Sequence, residues 1–173
     1  WEKNNTIGKE FLKLVGKKPS EIKIFVVVTP IKFIKRIFRK LKILNIPENF
    51  KILLFNGNPR WMMDISDKII PIFSTGRIHF AHLSVNGANE KTLQRMQRGY
   101  SLNEFAAFID SIRNVSPDTI LQTEVIVGFP GETEEDFEKT KQFFRKNFFH
   151  NVRVYAFSER PGTPAEHFPE KVP

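Results

Sequence analysis

The chemistry open to this chain is narrowed first by a residue it lacks. Its 173 residues include no cysteine. That excludes disulfides, thiolate nucleophiles and any cysteine-bound zinc or iron–sulfur centre held by the chain itself. The four histidines, His79, His82, His150 and His167, show none of the chelating spacings, such as His-Glu-x-x-His, that hold a metal. The residues with chemical promise are instead clusters of glycines, amides and hydroxyls. They are Asn56-Gly57-Asn58-Pro59, Asn86-Gly87-Ala88-Asn89, Gly128-Phe129-Pro130-Gly131 and Ser158-Glu159-Arg160-Pro161-Gly162-Thr163-Pro164. Each follows a short apolar run. Glycine allows a ligand to approach the backbone closely, and polar side chains at a strand end are placed to meet it. The same residues are also ordinary turn formers that need no ligand.

The stretch that must position the third cluster is the clearest in the chain. Residues 120–127, Ile-Leu-Gln-Thr-Glu-Val-Ile-Val, are rich in β-branched residues and bounded by turn signals, which predicts a strand. Gly128 and Gly131 flank a fixed-φ proline and stop it. Thr133 is then a natural N-cap with Asp136 three residues on. Glu134, Glu135 and Asp136 place negative charge at the positive end of the helix dipole. A strand, a tight glycine turn and a capped helix make half of a βαβ unit, and in α/β folds ligands gather at the carboxyl ends of such strands.

The rest of the chain repeats that grammar. Further strands are expected over 22–29, 51–55, 78–85 and 152–157, parallel from the second onward. Helices are expected over 6–15, 31–44, 64–72, 90–96, 102–112 (capped by Ser101, with Glu104 at its third position) and 134–147. The alternation implies an α/β fold of parallel β/α units, either an open doubly wound sheet or part of a barrel, and periodicity does not choose between them. A hydrophobic content of 40% with 18 phenylalanines fits one globular domain with a real core. No apolar run approaches the length of a membrane span.

Net charge is +8, but residues 1–60 carry 14 Lys/Arg against 4 Asp/Glu, so the basic character belongs to the first third. Lys32, Lys35, Arg36, Arg39, Lys40 and Lys42 crowd one side of the expected 31–44 helix, opposite Ile34, Ile37, Phe38 and Leu41. Such a helix can lie on RNA through its phosphates or on a membrane surface, or merely cover a sheet with its apolar stripe.

Four motifs in order carry a family resemblance: His82-Leu83-Ser84-Val85-Asn86-Gly87; Leu93 through Ser101, with its Arg98-Gly99-Tyr100; Val127-Gly128-Phe129-Pro130-Gly131-Glu132-Thr133; and Ser158 through Ala165. Asn58-Pro59 and the closing Val172-Pro173 fit beside them. The set resembles the second half of the radical S-adenosylmethionine methylthiotransferases, in the branch that adds a methylthio group to a modified adenosine beside the tRNA anticodon. The resemblance runs from about Lys51 to the end. It implies part of a (β/α)6 partial TIM barrel, its strands three to six. Residues 1–50 would then be a basic N-terminal segment, 51–165 the distal half of the barrel, and 166–173 a linker toward a further domain.

The resemblance also implies S-adenosylmethionine as cofactor, tRNA as partner, a cytoplasmic setting and no membrane. The backbone of Val127 and Gly128 would lie against the adenine. Asn86, where the family has Gln, would face the ribose or methionine part, and the backbone of Phe157 and Ser158 would hold the adenine edge. The chain departs from the family in reading Asn86-Gly87-Ala88-Asn89 for Gln-Ser-Gly-Ser and Phe157 for Tyr. It also lacks the Cys-x-x-x-Cys-x-x-Cys whose thiolates hold a 4Fe-4S cluster. The expectation is therefore a fragment of such an enzyme, with the cluster bound outside this chain. The competing expectation is a non-catalytic RNA-binding or partner module descended from the family.

Overall fold

A computed structural model describes residues 23–28 and 50–172, with side chains from Lys51 onward. The helices expected over 6–15 and 31–44, and with them Lys32, Lys35, Arg36, Arg39, Lys40 and Lys42, lie outside the described residues.

Among the described residues five strands form one sheet: β1 (Lys23–Val28), β2 (Phe50–Gly57), β3 (Ile78–Asn86), β4 (Ile120–Val127) and β5 (Asn151–Ala156). Their spatial order is their chain order, and every neighbouring pair is parallel, the first included. A doubly wound sheet would reverse direction at a switch point. Strands laid down in sequence by crossovers of one hand instead build the wall of a β/α barrel, which settles the choice that periodicity left open.

The intervening segments supply five helices among the described residues: α1 (Pro59–Met63), α2 (Ser66–Phe73), α3 (Glu90–Arg95), α4 (Leu102–Val115) and α5 (Glu134–Lys146). The helix expected over 64–72 stands as α2, and the short α1, which was not expected, precedes it. Pro59 opens α1 directly behind β2, at a position where its missing N–H sacrifices no helical bond. Pro71 lies inside α2, which ends two residues later. Both long helices start in reciprocal capping boxes, Ser101 with Glu104 and Thr133 with Asp136, as their spacing predicts.

The helices cover one face of the sheet. Ala81, Leu83 and Leu121 point into a core with Met62, Ile69, Phe73, Leu93, Phe105, Ile109 and Ile112, all essentially inaccessible to solvent. Strand alternation turns His82, Gln122 and Glu124 to the opposite face, where a closed barrel has its interior. After β5 the chain makes a short 3-10 turn (Pro164–His167) and runs back to the end of β4. There Gly131 donates its N–H to the Glu170 carbonyl at 2.9 Å.

Candidate functional site

The rim at the carboxyl ends of β3, β4 and β5 is built around an irregularity. Leu83 pairs with Thr123 and Asn86 with Val125, so two residues of β3, Ser84 and Val85, oppose the single residue Glu124 of β4. This is a β-bulge, and a bulge leaves backbone groups to be satisfied by other means. Arg98 donates an Nη2 hydrogen bond to the Ser84 carbonyl at 2.7 Å, and the Tyr100 hydroxyl donates to the Val85 carbonyl at 3.0 Å. From beneath, the buried Thr123 hydroxyl donates to the Leu83 carbonyl at 2.6 Å and accepts from the Val85 N–H at 3.4 Å. The Arg98-Gly99-Tyr100 element thus clamps the end of β3.

The bulge delivers Asn86 in a left-handed conformation, φ 62°. Asparagine tolerates this region better than other side chains. In the amide orientation that satisfies both neighbours, Asn86 donates to Glu124 Oε1 at 3.2 Å and accepts from Arg98 Nη1 at 3.3 Å. The other carboxylate oxygen, Glu124 Oε2, lies 3.4 Å from Nε2 of the buried His82, close but without hydrogen-bond alignment. Glu124 therefore joins Asn86 to His82 across the inner face.

Burial pushes the His82 imidazole below its usual range. Nearby Glu124 pulls it back and Arg153 lowers it further. His150, whose Nδ1 accepts from the Leu121 N–H at 3.1 Å, is lowered too, by burial and by Arg113. A histidine held below its unfolded pKa of about 6.5 contributes stability that is complete above that pH and is lost as pH falls toward the folded value. The midpoint of urea unfolding is accordingly expected to drop between pH 7.5 and 5.5. His82→Gln should shallow that slope, and an unchanged slope would remove His82 from the cause.

The second part of the rim is the turn after β4. Gly128 and Gly131 take φ of 73° and 80°, which glycine alone adopts without strain. The Gly128 N–H is taken by the Glu132 carboxylate, which burial pushes up in pKa against the pull of the Gly128 and Phe129 amides. A Cβ on Gly131 would stand 2.7 Å from Glu170 Oε2 and 2.9 Å from Arg95 Cζ. Arg95 pairs with Glu170 at 3.6 Å and lies over the Phe168 ring at 5.1 Å, so the returning tail is latched to α3.

The residues expected to bind therefore fall as follows. Asn86, Val127 and Gly128, and Phe157 and Ser158 stand at or just beyond the carboxyl ends of three adjacent parallel strands, on one rim. The Phe157 N–H is already spent on the Val127 carbonyl at 2.8 Å, continuing the β4–β5 ladder. At Val127 and Gly128, then, two of the backbone polar groups face the chain's own partners. What this backbone offers a ligand is close approach. Tail residue Val172 lies 3.9 Å from the position a Gly128 Cβ would take. Glu124, His82 and Arg98 were not singled out as site residues. For Glu124 the signal was the run Gln122-Thr123-Glu124, three polar residues in an otherwise apolar strand.

A sequentially wound β/α barrel wall with its polar groups gathered at the carboxyl rim is the class that this fold and site define. The sequence model of the Radical SAM superfamily matches residues 6–144, and the chain belongs to that superfamily. It is 35% identical over 130 residues to the threonylcarbamoyladenosine tRNA methylthiotransferase of Thermotoga maritima, an overlap of 74% of this chain and 29% of that protein. It is 37% identical over 136 residues to the tRNA-2-methylthio-N(6)-dimethylallyladenosine synthase of Dictyoglomus thermophilum, covering 77% of this chain and 30% of that protein. The chain thus spans under a third of the length of these relatives. In fold it resembles coproporphyrinogen III oxidase from Escherichia coli (TM-score 0.58, 17% identity, 77% of this chain and 30% of that one). Methylornithine synthase is similarly close (TM-score 0.57, 15% identity, 95% and 47%).

The superfamily implies S-adenosylmethionine and a 4Fe-4S cluster. The donor set does not fit the cluster, because there is no thiolate in the chain. Among the described residues no group of three or more His, Asp or Glu is placed to hold a metal, and no helix is long and apolar enough to cross a membrane. The nucleoside part of the cofactor is a different case. An amide and a carboxylate stand on the same rim as the glycine turn, polar groups that suit a hydroxylated ligand.

Proposed function

We propose that this chain is the distal barrel wall of a radical S-adenosylmethionine tRNA methylthiotransferase, cradling the adenosine part of the cofactor at the carboxyl ends of β3, β4 and β5. The observation that carries the reading is the bulge at Ser84 and Val85. It presents Asn86 of β3 beside Glu124, which lies on β4 four residues before Gly128. The likeness to two tRNA methylthiotransferases supports the reaction class.

The cofactor supplies radical chemistry when bound, and the residues of this chain bind and orient it. Val127 and Gly128 would offer the base a backbone surface, bordered by tail residue Val172 beside Gly128. Asn86 keeps one donor and one acceptor position beyond those it spends on Glu124 and Arg98. The Arg98 and Tyr100 clamp keeps that rim from relaxing. The partner RNA would meet the chain through the phosphate-seeking residues Lys32, Lys35, Arg36, Arg39, Lys40 and Lys42.

S-adenosylhomocysteine is the probe of choice because it needs no iron. Titrated calorimetrically into the whole chain, it is expected to bind saturably at one site. Anaerobic reconstitution with iron and sulfide is expected to leave iron well below stoichiometric and to give no methylthiolated tRNA. A folded chain that takes up no S-adenosylhomocysteine overturns the cradle. Four irons per chain would show that ligands other than cysteine hold a cluster.

A further inference from the structure

We propose that the open edge of β5 and the flank of α5 form a docking surface for a second copy of this chain, bound antiparallel to the first about a two-fold axis at Val154. The proposal is independent of the nucleoside cradle.

The surface begins with a sheet edge. Among the described residues β5 pairs with β4 on one side only. An edge strand presents a row of backbone groups ready to pair with another chain, and proteins blunt such edges with proline, lysine or a bulge. Asn151–Ala156 has no proline and no lysine, and its register with β4 runs without a break. Val154 and Tyr155 are both exposed. On the helix side Val152 and Val154 continue into an apolar groove with Val127, Phe137 and Phe144.

The strand complements itself in one register. The Phe157 N–H turns inward to the Val127 carbonyl, so alternation within β5 turns the backbone groups of Val152, Val154 and Ala156 outward. Antiparallel pairing centred on Val154 then makes hydrogen-bonded pairs of Val154 with Val154 and of Val152 with Ala156. Between them Arg153 falls opposite Tyr155 of the second copy, twice over, a cation facing an aromatic ring. Both lie on the inner face, where the charge of Arg153 acts on His82. Centring on Arg153 instead would oppose two like charges directly. Centring on Tyr155 would leave Val152 and Arg153 beyond the end of the opposing strand.

The charges of α5 make a second copy of this chain the fitting occupant. Glu134, Glu135, Asp136 and Glu138 hold its first five positions, and Lys139, Lys141, Arg145 and Lys146 the remainder. The helix borders Val125 and Val127 of β4 together with Val152 and Val154 of β5, so it lies above the space between these strands. With strands about 4.8 Å apart, the two-fold sets the two helices antiparallel and about 10 Å apart, an ordinary packing distance. The acidic half of each then meets the basic half of the other, while Phe137 and Phe144 enter the seam. A helix of one sign would repel its own copy, and this one attracts it.

Arg145 lines the groove, and Glu138 pairs with the groove residue Lys141, so these two charges serve as the test. Sedimentation of the whole chain across a wide concentration range is expected to show a reversible equilibrium. The mass should rise to twice that of one chain and no further, as a closed two-fold contact requires. Val154→Lys should raise the dissociation constant at least about tenfold, by setting two lysines face to face on the edge. Its unfolding midpoint should not move, because the side chain is exposed. Glu138→Arg and Arg145→Glu should each weaken self-association about tenfold. An equimolar mixture of these two variants should recover native association, because the mixed pair keeps an acid facing a base at both contacts. A folding defect gives no such recovery. A chain that stays monomeric at every concentration leaves the edge to a different partner and overturns the proposal. Mass that grows past two copies, a mixture that fails to recover, or Val154→Lys that dimerises as tightly as native chain would overturn it too.

Discussion

Phe105→Ala is expected to destabilise the chain by about 3–5 kcal/mol, the usual cost of deleting a fully buried aromatic. Phe105 is wholly inaccessible and sits at the centre of an aromatic cluster. Its ring stacks between Phe143 and Phe149, each 6.3 Å away and within about 20° of parallel, and meets Tyr100 at 6.0 Å. These partners come from α5, from the segment before β5 and from the clamp on β3. One side chain therefore ties three elements together. Its removal leaves a cavity that none of them can fill without breaking its own contacts. In a chain of this length the loss corresponds to a fall in Tm of roughly 10 °C. Because Tyr100 packs on Phe105 and bonds the Val85 carbonyl, nucleoside binding should weaken as well. A thermal melt and a calorimetric titration on one preparation check both. A drop of less than about 1 kcal/mol would mean that the cluster repacks.

Thr123→Val is the second large effect, and it tests the bulge directly. The substitution keeps shape and replaces the hydroxyl with a methyl. The Leu83 carbonyl then loses its donor and the Val85 N–H its acceptor, both in fully buried surroundings. Each orphaned group costs about 1–3 kcal/mol, so a loss of about 3 kcal/mol is expected. Thr123→Ser keeps the hydroxyl and should lose only about 1 kcal/mol, for a methyl group. Urea unfolding separates the two variants. Amide exchange at Val85 should quicken in Thr123→Val alone. Equal destabilisation by both would assign the effect to packing and acquit the hydrogen bonds.

Much of this architecture is legible in the residues themselves. β4 matches its expected span, 120–127, and the capping boxes of α4 and α5 fall where Ser101, Glu104, Thr133 and Asp136 predict. These are local signals, in which a residue's partner lies within three or four positions. The bulge is not of that kind. Nothing in Ser84-Val85 distinguishes it from continuous strand, since the cause lies in Thr123 and Arg98, on other elements. The pairing of Glu124 with Asn86 is hidden for the same reason: 38 residues separate them, and only the strand register joins them. The tail offered a different difficulty. Residues 166–172 have no periodicity, yet Glu170 and Val172 lie on the turns at Gly131 and Gly128. Single contacts from an irregular segment leave no pattern to read. The family resemblance supplied Asn86, Val127, Gly128, Phe157 and Ser158 as a set, and spacing along the chain would not have gathered them.

The strictly sequential strand order has a kinetic consequence. Register partners lie 27 residues apart for Lys23 and Phe50, 26 for Ile52 and Ile78, 40 for Phe80 and Ile120, and 29 for Gln122 and Asn151. The entropy of closing these segments differs by only about 0.4 kcal/mol between the shortest and the longest. Each βα unit docks on the one made just before it, and none waits for a distant partner. At about 5–20 residues per second a ribosome delivers one unit every few seconds, long compared with the formation of a helix or the pairing of a strand. The sheet can therefore grow by accretion during synthesis, its newest strand serving as template for the next. Among the described residues β5 is the strand furthest along the chain, and Val154 and Tyr155 on it are 62% and 46% exposed, a surface on which a further unit can dock.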